Sequence, residues 1–310
     1  MINGLSPIVL FTYRRIPQGV IESLQKNSIA GESELFIYSD GPKNESDKQD
    51  ISRVKAYLAS ITGFKAIKAI ESNENNGLAH SIIDGVTEIV RKYGKVIVLE
   101  DDLIVSNDFL EYMNEALNFY KDDKKIWSIS GYGPKLPCFG DYNKDLYLSP
   151  RGSSWGWATW GDRWAMVDWK VEDFTTLKKN NDLRKNFNLG GNDMYKMLEL
   201  QMLSKIDSWA IRWCYSQFYN NMYTVYPKKS KIINNGFSDN KGTHNSGINS
   251  KLTLELDNNK VNFNDLHVEQ KIIQCFKKFH NLSLKTRAGY FLKKYGGYKT
   301  VKKILNFYKK

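Results

Sequence analysis

Short apolar runs alternate with amphipathic stretches through the first 130 residues of the chain. Residues 7–12 (PIVLFT), 34–40 (ELFIYSD), 64–70 and 95–100 (KVIVLE) are rich in Ile, Val and Phe and predict strands, with residues 126–130 as a weaker fifth. Between them, residues 17–26, 48–60, 78–92 and 109–120 carry apolar positions at helical spacing. The last of these follows Ser106 and Asn107, which are expected as its caps. Such alternation predicts an α/β fold, a mostly parallel sheet with helices on both faces. Ligands in such folds bind beyond the carboxyl ends of the strands. Farther along, residues 190–204 predict a helix whose Met194, Met197 and Met202 read as core. Residues 208–221 predict another.

Composition changes the picture at one end only. The chain has 310 residues, 41% hydrophobic and 25% charged, with a net charge of +11. The last forty residues hold 12 Lys and Arg and no acid, which leaves the other 270 with 33 basic and 34 acidic groups. A basic excess confined to one tail argues against a nucleic-acid partner, which a basic working face would serve. The expected division is therefore a main domain over residues 1–250 and a basic, partly helical C-terminal region over 251–310. In residues 298–310, Val301, Ile304, Leu305 and Tyr308 form a helical stripe with lysines largely off it, the pattern of a helix lying on a membrane surface. With no membrane-spanning run and no signal sequence, the expected location is cytoplasmic, peripheral to the membrane. Cys138, Cys214 and Cys275, widely spaced, read as isolated thiols.

The strand ends carry the candidate chemistry. The first runs into Thr12-Tyr13-Arg14-Arg15, the second into Ser39-Asp40-Gly41-Pro42, and the third leads to Asn75-Asn76-Gly77-Leu78-Ala79-His80. Arg can grip phosphate through two donors, and Asp can accept from a base or ribose. The fourth ends in Glu100-Asp101-Asp102. Three carboxylates at a partly buried strand end are costly unless a cation or donors compensate. A hard divalent ion held by one or two of them plus diphosphate oxygens would do so, and would neutralise a departing diphosphate. The alternative is that Asp101 and Asp102 only favour the N-terminus of the next helix.

SPIVLFTYRR, IYSDGP, VIVLEDDLIVSNDFLEYM and the later GSSWGWATW together resemble the GT-A-fold nucleotide-sugar glycosyltransferases. The likeness is to the N-acetylglucosaminyltransferase I family and its relatives from bacterial polysaccharide clusters, over roughly residues 5–245. The resemblance implies Mn²⁺ or Mg²⁺ on Asp102, a ribose or sugar contact from Asp101, uracil on Asp40 and diphosphate near Arg14. It also places His80 in the donor site. The expected donor is a UDP-sugar carrying GlcNAc or a related hexose, and the expected acceptor an oligosaccharide or lipid-linked glycan of a surface polysaccharide.

Three later segments extend this reading. Five of the eight Trp fall within residues 155–169. Either they form a core cluster or, as expected here for Trp155 and Gly156, a wall against donor and acceptor sugars. Asp207, between Ile206 and Trp209, sits where a carboxylate's proton affinity rises and resembles the family's Asp-x-Trp base. Its alternative is a cap for the helix at 208–221, with Asp193 the competing base. The polar stretch 234–245 resembles a family loop that brings His244 toward the diphosphate. Two other functions fit parts of the pattern. A sugar nucleotidyltransferase would use a similar sheet but carries a Gly-rich basic loop after its first strand, and a non-catalytic glycan-binding protein would not need the acidic triplet.

Overall fold

The computed structural model describes residues 4–236 and 256–282, with Thr286, Tyr290 and Lys294 beyond them. The strands are β1 (Ile8–Thr12), β2 (Glu34–Ser39), β3 (Ala66–Glu71), β4 (Lys95–Glu100), β5 (Leu103–Val105), β6 (Ile126–Ser130), β7 (Leu146–Ser149), β8 (Trp157–Trp160), β9 (Tyr223–Pro227) and β10 (Ile232–Asn234). The helices are α1 (Gln18–Gln25), α2 (Lys48–Leu58), α3 (Leu78–Tyr93), α4 (Phe109–Phe119), α5 (Gly161–Trp164), α6 (Phe174–Lys179), α7 (Asn181–Phe187), α8 (Met194–Met202), α9 (Trp209–Tyr219) and α10 (Gln270–Phe279). Eight strands form one sheet in the order β3-β2-β1-β4-β8-β6-β9-β7, in which β8 and β7 run against the other six. A small antiparallel ribbon, β5–β10, stands apart. The mostly parallel α/β sheet expected from the sequence is therefore present.

The apolar strands are continuous because both faces are covered. Ile8, Leu10, Ile97 and Leu99 enter one core with residues of α1, α2, α4 and α10. Their neighbours Val9, Phe11, Val96 and Val98 enter the other, with α3, α8 and α9. A strand between two helical layers has no solvent face to keep polar. The five predicted strands and four early helices are all found, within two residues at most ends.

The second half departs from expectation where short elements carry mixed sequences. Strands β7, β8 and β9 have no clean alternation, yet β8 lies in the middle of the sheet between β4 and β6. Helix α8 starts at Met194, later than predicted, because residues 188–190 form a separate turn and Gly191 takes φ +143°. The cap of α4 is Asp108 and not Ser106 or Asn107; the Ser106 hydroxyl donates to the Asp108 carboxylate at 2.7 Å.

Residues 256–282 pack on the body. The Tyr120 hydroxyl donates to the Asn264 carbonyl at 2.8 Å. Lys231, fully buried, donates to Asp108 Oδ2 at 2.7 Å and to the carbonyls of Asp257 and Asn259 at 2.9 and 2.6 Å. Helix α10 inserts Ile272 and Phe276 into the first core. Phe276 and Phe139 sit against the same Tyr147 ring, at 6.3 and 5.2 Å. Their chain neighbours Cys275 and Cys138 are thereby brought together, so these two thiols are not isolated. Burial, with the Cys275 thiol beside it, pushes Cys138 up to about 12. His244 and the lysine-flanked stripe at 298–310 lie outside the described residues. Among the described residues no helix is long and apolar enough to cross a membrane.

Candidate active site

Parallel registration brings the predicted polar ends to one edge. Thr12 pairs with Ser39 and Phe11 with Glu100, so the residues after β1, β2 and β4 leave the sheet side by side. Asp40 N donates to the Thr12 carbonyl at 3.0 Å. On the other flank, the Thr12 hydroxyl lies 3.2 Å and the Tyr13 amide 3.4 Å from Asp101 Oδ2. A donor-lined floor thus joins Asp40 to Asp101 through the end of β1.

The acidic end of β4 is electrostatically strained. Burial, then repulsion from Asp102 and Asp101, pushes Glu100 up to about 8. Burial and Asp102 push Asp101 up to about 7, against the lowering effect of Arg15. Three carboxyl groups so placed favour any added positive charge. Among the described residues the nearest cation is Arg15, whose guanidinium lies 3.9 Å from Asp101 Oδ1 and 3.8 Å from Asp102 Oδ2. Arg14, the expected diphosphate ligand, turns away to the buried Asp47 at 2.7 Å, which also accepts from the Tyr13 hydroxyl at 2.6 Å. The sequence RR gave no means of choosing between adjacent arginines. Asp47, the deciding partner, lies more than thirty residues on.

Asp40 is placed on this edge, but its carboxylate is committed to the protein. Oδ1 accepts from the Gly41 and Asn76 amides at 3.0 and 2.8 Å, and Oδ2 from the Asn75 side chain and the Gly77 amide, both at 2.9 Å. A carboxylate has about four acceptor positions, so no side-chain acceptor is left over for a base. Asp40 ties the 75–77 turn to the end of β2, ahead of α3. His80 stands exposed in the first turn of that helix.

The tryptophan segment divides. Trp157 and Trp164 are buried with Trp209 and Trp213, at ring separations of 5.0–5.8 Å, and Trp160 is buried on the other side. These three are core, one of the two readings left open for the run, because β8 is an interior strand. Trp155, before the strand, is only partly buried and meets Tyr132 edge-on at 4.8 Å. Gly156 is required by packing: it takes φ +53°, and a Cβ there would run into Ile232, Leu99 and Phe109.

The two base candidates differ sharply. Asp193 is buried in a two-pronged pair with Arg151 at 2.7 and 2.9 Å, and Arg151 outweighs burial to hold it below the usual carboxylate range. A carboxylate so satisfied is a poor proton acceptor. Asp207 is exposed, with Arg212 at 3.3 Å. The apolar setting expected around it is absent because Trp209 turns into the core. Nor does it cap α9: Ser208 does, its hydroxyl accepting from the Ile211 amide at 3.4 Å.

Asp102 carries the contacts sequence reasoning did not anticipate. Its backbone carbonyl accepts from the Asn235 amide at 2.7 Å, and its Oδ2 accepts from the Asn234 side chain at 3.0 Å. Among the described residues, no group of three or more His, Cys, Asp and Glu side chains is spaced to hold a metal by itself. Residues Asp101 and Asp102 nevertheless fit a hard cation that takes one or two carboxylates and completes its shell with phosphate and water. The all-oxygen donor set that Asp101 and Asp102 bring together at this strand end is the observation that supports the fit.

The model of the GNT-I family matches residues 85–174, a span running from the middle of α3 through β4, the acidic end and β8. Over that span the chain is similar to this family, in agreement with the resemblance in its motifs. The chain is a glycosyltransferase, and its fold is consistent with the GT-A type. No curated protein matches it.

Proposed function

We propose that this glycosyltransferase moves GlcNAc or a related hexose from a UDP-sugar to a glycan hydroxyl, with inversion, using Mn²⁺ or Mg²⁺. The observation that carries the reading is the convergence of Thr12, Tyr13, Arg15, Asp101 and Asp102 at the carboxyl edge of β1 and β4. Asp102, with Asp101 beside it, would hold the ion, which when bound supplies positive charge to the leaving diphosphate. Arg15 is placed to add a second positive charge there. Since the Asp40 side chain is occupied, uracil selection falls to backbone groups around the turn that Asp40 organises. Trp155 offers a partly open ring for a sugar face. Asp207, open to solvent, would take the proton from the attacking acceptor hydroxyl; the Arg212 ion pair fixes the carboxylate's direction. A lipid-linked acceptor and a basic tail would together place the enzyme at the cytoplasmic membrane surface.

A panel of nucleotide sugars, assayed for nucleotide release with and without Mn²⁺, tests this. Metal-dependent UDP release from UDP-GlcNAc or a close relative is expected. Pyrophosphate-linked synthesis of the nucleotide sugar itself would favour the nucleotidyltransferase alternative, and absence of turnover with every donor and glycan acceptor would favour a binding protein.

A further inference from the structure

Asn234 is the last residue of β10 and pairs with Leu103, the residue that follows Asp102. Its side-chain oxygen accepts from the Gly236 amide at 2.7 Å, which fixes the amide the other way round toward Asp102, where Nδ2 donates to Oδ2 at 3.0 Å. The strand cannot slide to relax this contact. At its far end the ammonium of Lys231 is buried among Asp108, Asp257 and Asn259, and the Ser106 amide donates to the Lys231 carbonyl at 2.9 Å. At its near end the Asn235 amide holds the Asp102 carbonyl. Gly236 keeps the approach open: a Cβ there would stand 2.5 Å from Asp102 Oδ2. The β5–β10 ribbon thus delivers one neutral donor to one oxygen of one carboxylate.

We infer that Asn234 is a positioning residue, whose amide sets the rotation of the Asp102 carboxylate for the divalent cation. The inference rests on the metal reading proposed above. A neutral donor suits this task because it restrains the carboxylate without competing with the cation for charge, as a second arginine would. Groups that orient a metal ligand typically contribute a factor of about 10 to 100 in metal affinity.

The test is Mn²⁺ affinity in the presence of UDP, read by calorimetry or by the electron paramagnetic resonance of free Mn²⁺, on the full chain. Asn234→Ala is expected to raise the Mn²⁺ dissociation constant about 10- to 100-fold while the metal-free melting temperature holds. Transfer should recover as Mn²⁺ is raised, a shift in metal requirement and not in maximal rate. Ile233→Ala, which disturbs the same strand at its pairing with Ile104, should leave Mn²⁺ affinity within about threefold, below the range expected for a lost orienting group. Unchanged affinity in Asn234→Ala overturns the inference. Equal weakening in both variants, or a large fall in metal-free stability of Asn234→Ala, assigns Asn234 to the ribbon's integrity and also overturns it. If the wild-type protein binds no Mn²⁺ with UDP, the metal reading itself fails, and the inference with it.

Discussion

Two segments of this chain advertise themselves in the sequence, the Glu100-Asp101-Asp102 end of β4 and the tryptophan run around β8. The fold treats them in opposite ways. At the acidic end, burial and mutual repulsion raise Glu100 and Asp101 into the neutral range, with Arg15 as the nearby cation. In the tryptophan run, Trp157 stacks on Trp164 and Trp209, and both Trp157 and Trp164 pack against Trp213 inside the second core. Like charge crowded at a strand edge favours an added cation. Aromatic surface is satisfied by other aromatic surface and points nowhere. Abundance of an unusual residue type is therefore a weaker signal than crowded like charge.

The largest effect expected outside the metal site is at the base. Asp207→Asn should lower the transfer rate by about 10² to 10⁴ while leaving UDP affinity near wild type, since the residue stands apart from the β4 edge in the chain. Transfer at close to the normal rate would remove Asp207 from the mechanism. Because Asp193 is held in its pair with Arg151, that outcome would call for a base other than these two. Product configuration, read by NMR, sharpens the result, because a single displacing base requires inversion.

The core side of the comparison is tested by its tryptophans. Trp157→Ala should destabilise the fold by about 3–5 kcal/mol, the usual cost of emptying a large buried site, as measured by chemical denaturation. Trp155→Ala, two residues away but partly exposed, should cost less than half of that and instead raise the KM for a sugar substrate. Equal stability losses at the two positions would erase the distinction drawn between wall and core.

The contrast also explains what was legible in the sequence. Strands β1, β2 and β4 announced themselves because both faces are buried, so their central positions are apolar without alternation. Their parallel registration then made the strand ends a site by topology alone. Strand β8 was hidden by its own residues: Trp157, Ala158, Thr159 and Trp160 resemble a binding segment as much as a strand. The choice of Arg15 over Arg14 depended on Asp47, and the commitment of Asp40 on three donors from the 75–77 turn, neither of which local pattern contains. Asn234 needed the β5–β10 pairing, a contact between segments 132 residues apart. Single residues at an edge were readable, whereas the partners that decide their roles were not.

A smaller effect concerns the acid side of stability. His280, at the end of α10, is half-buried beside Arg151 and Asp193, with Tyr290 near. Burial, then the Arg151 charge, lowers it from 6.5 to about 3, against the raising effect of Asp193. The folded pKa lies below the unfolded one, so the contribution is full above about pH 6.5 and is lost as pH falls toward 3. In that window stability should fall by at most about 1.4 kcal/mol per pH unit from this group. Melting curves of His280→Phe should be flatter across it, and an unchanged slope would place the acid sensitivity elsewhere.

The most direct test of the central claim is calorimetry of UDP binding to wild-type protein and to Asp102→Ala, each with and without Mn²⁺. The account predicts that Mn²⁺ strengthens UDP binding to the wild type and makes no difference to the variant, which should remain folded by circular dichroism. A folded Asp102→Ala protein that still gains UDP affinity on addition of Mn²⁺ would contradict it.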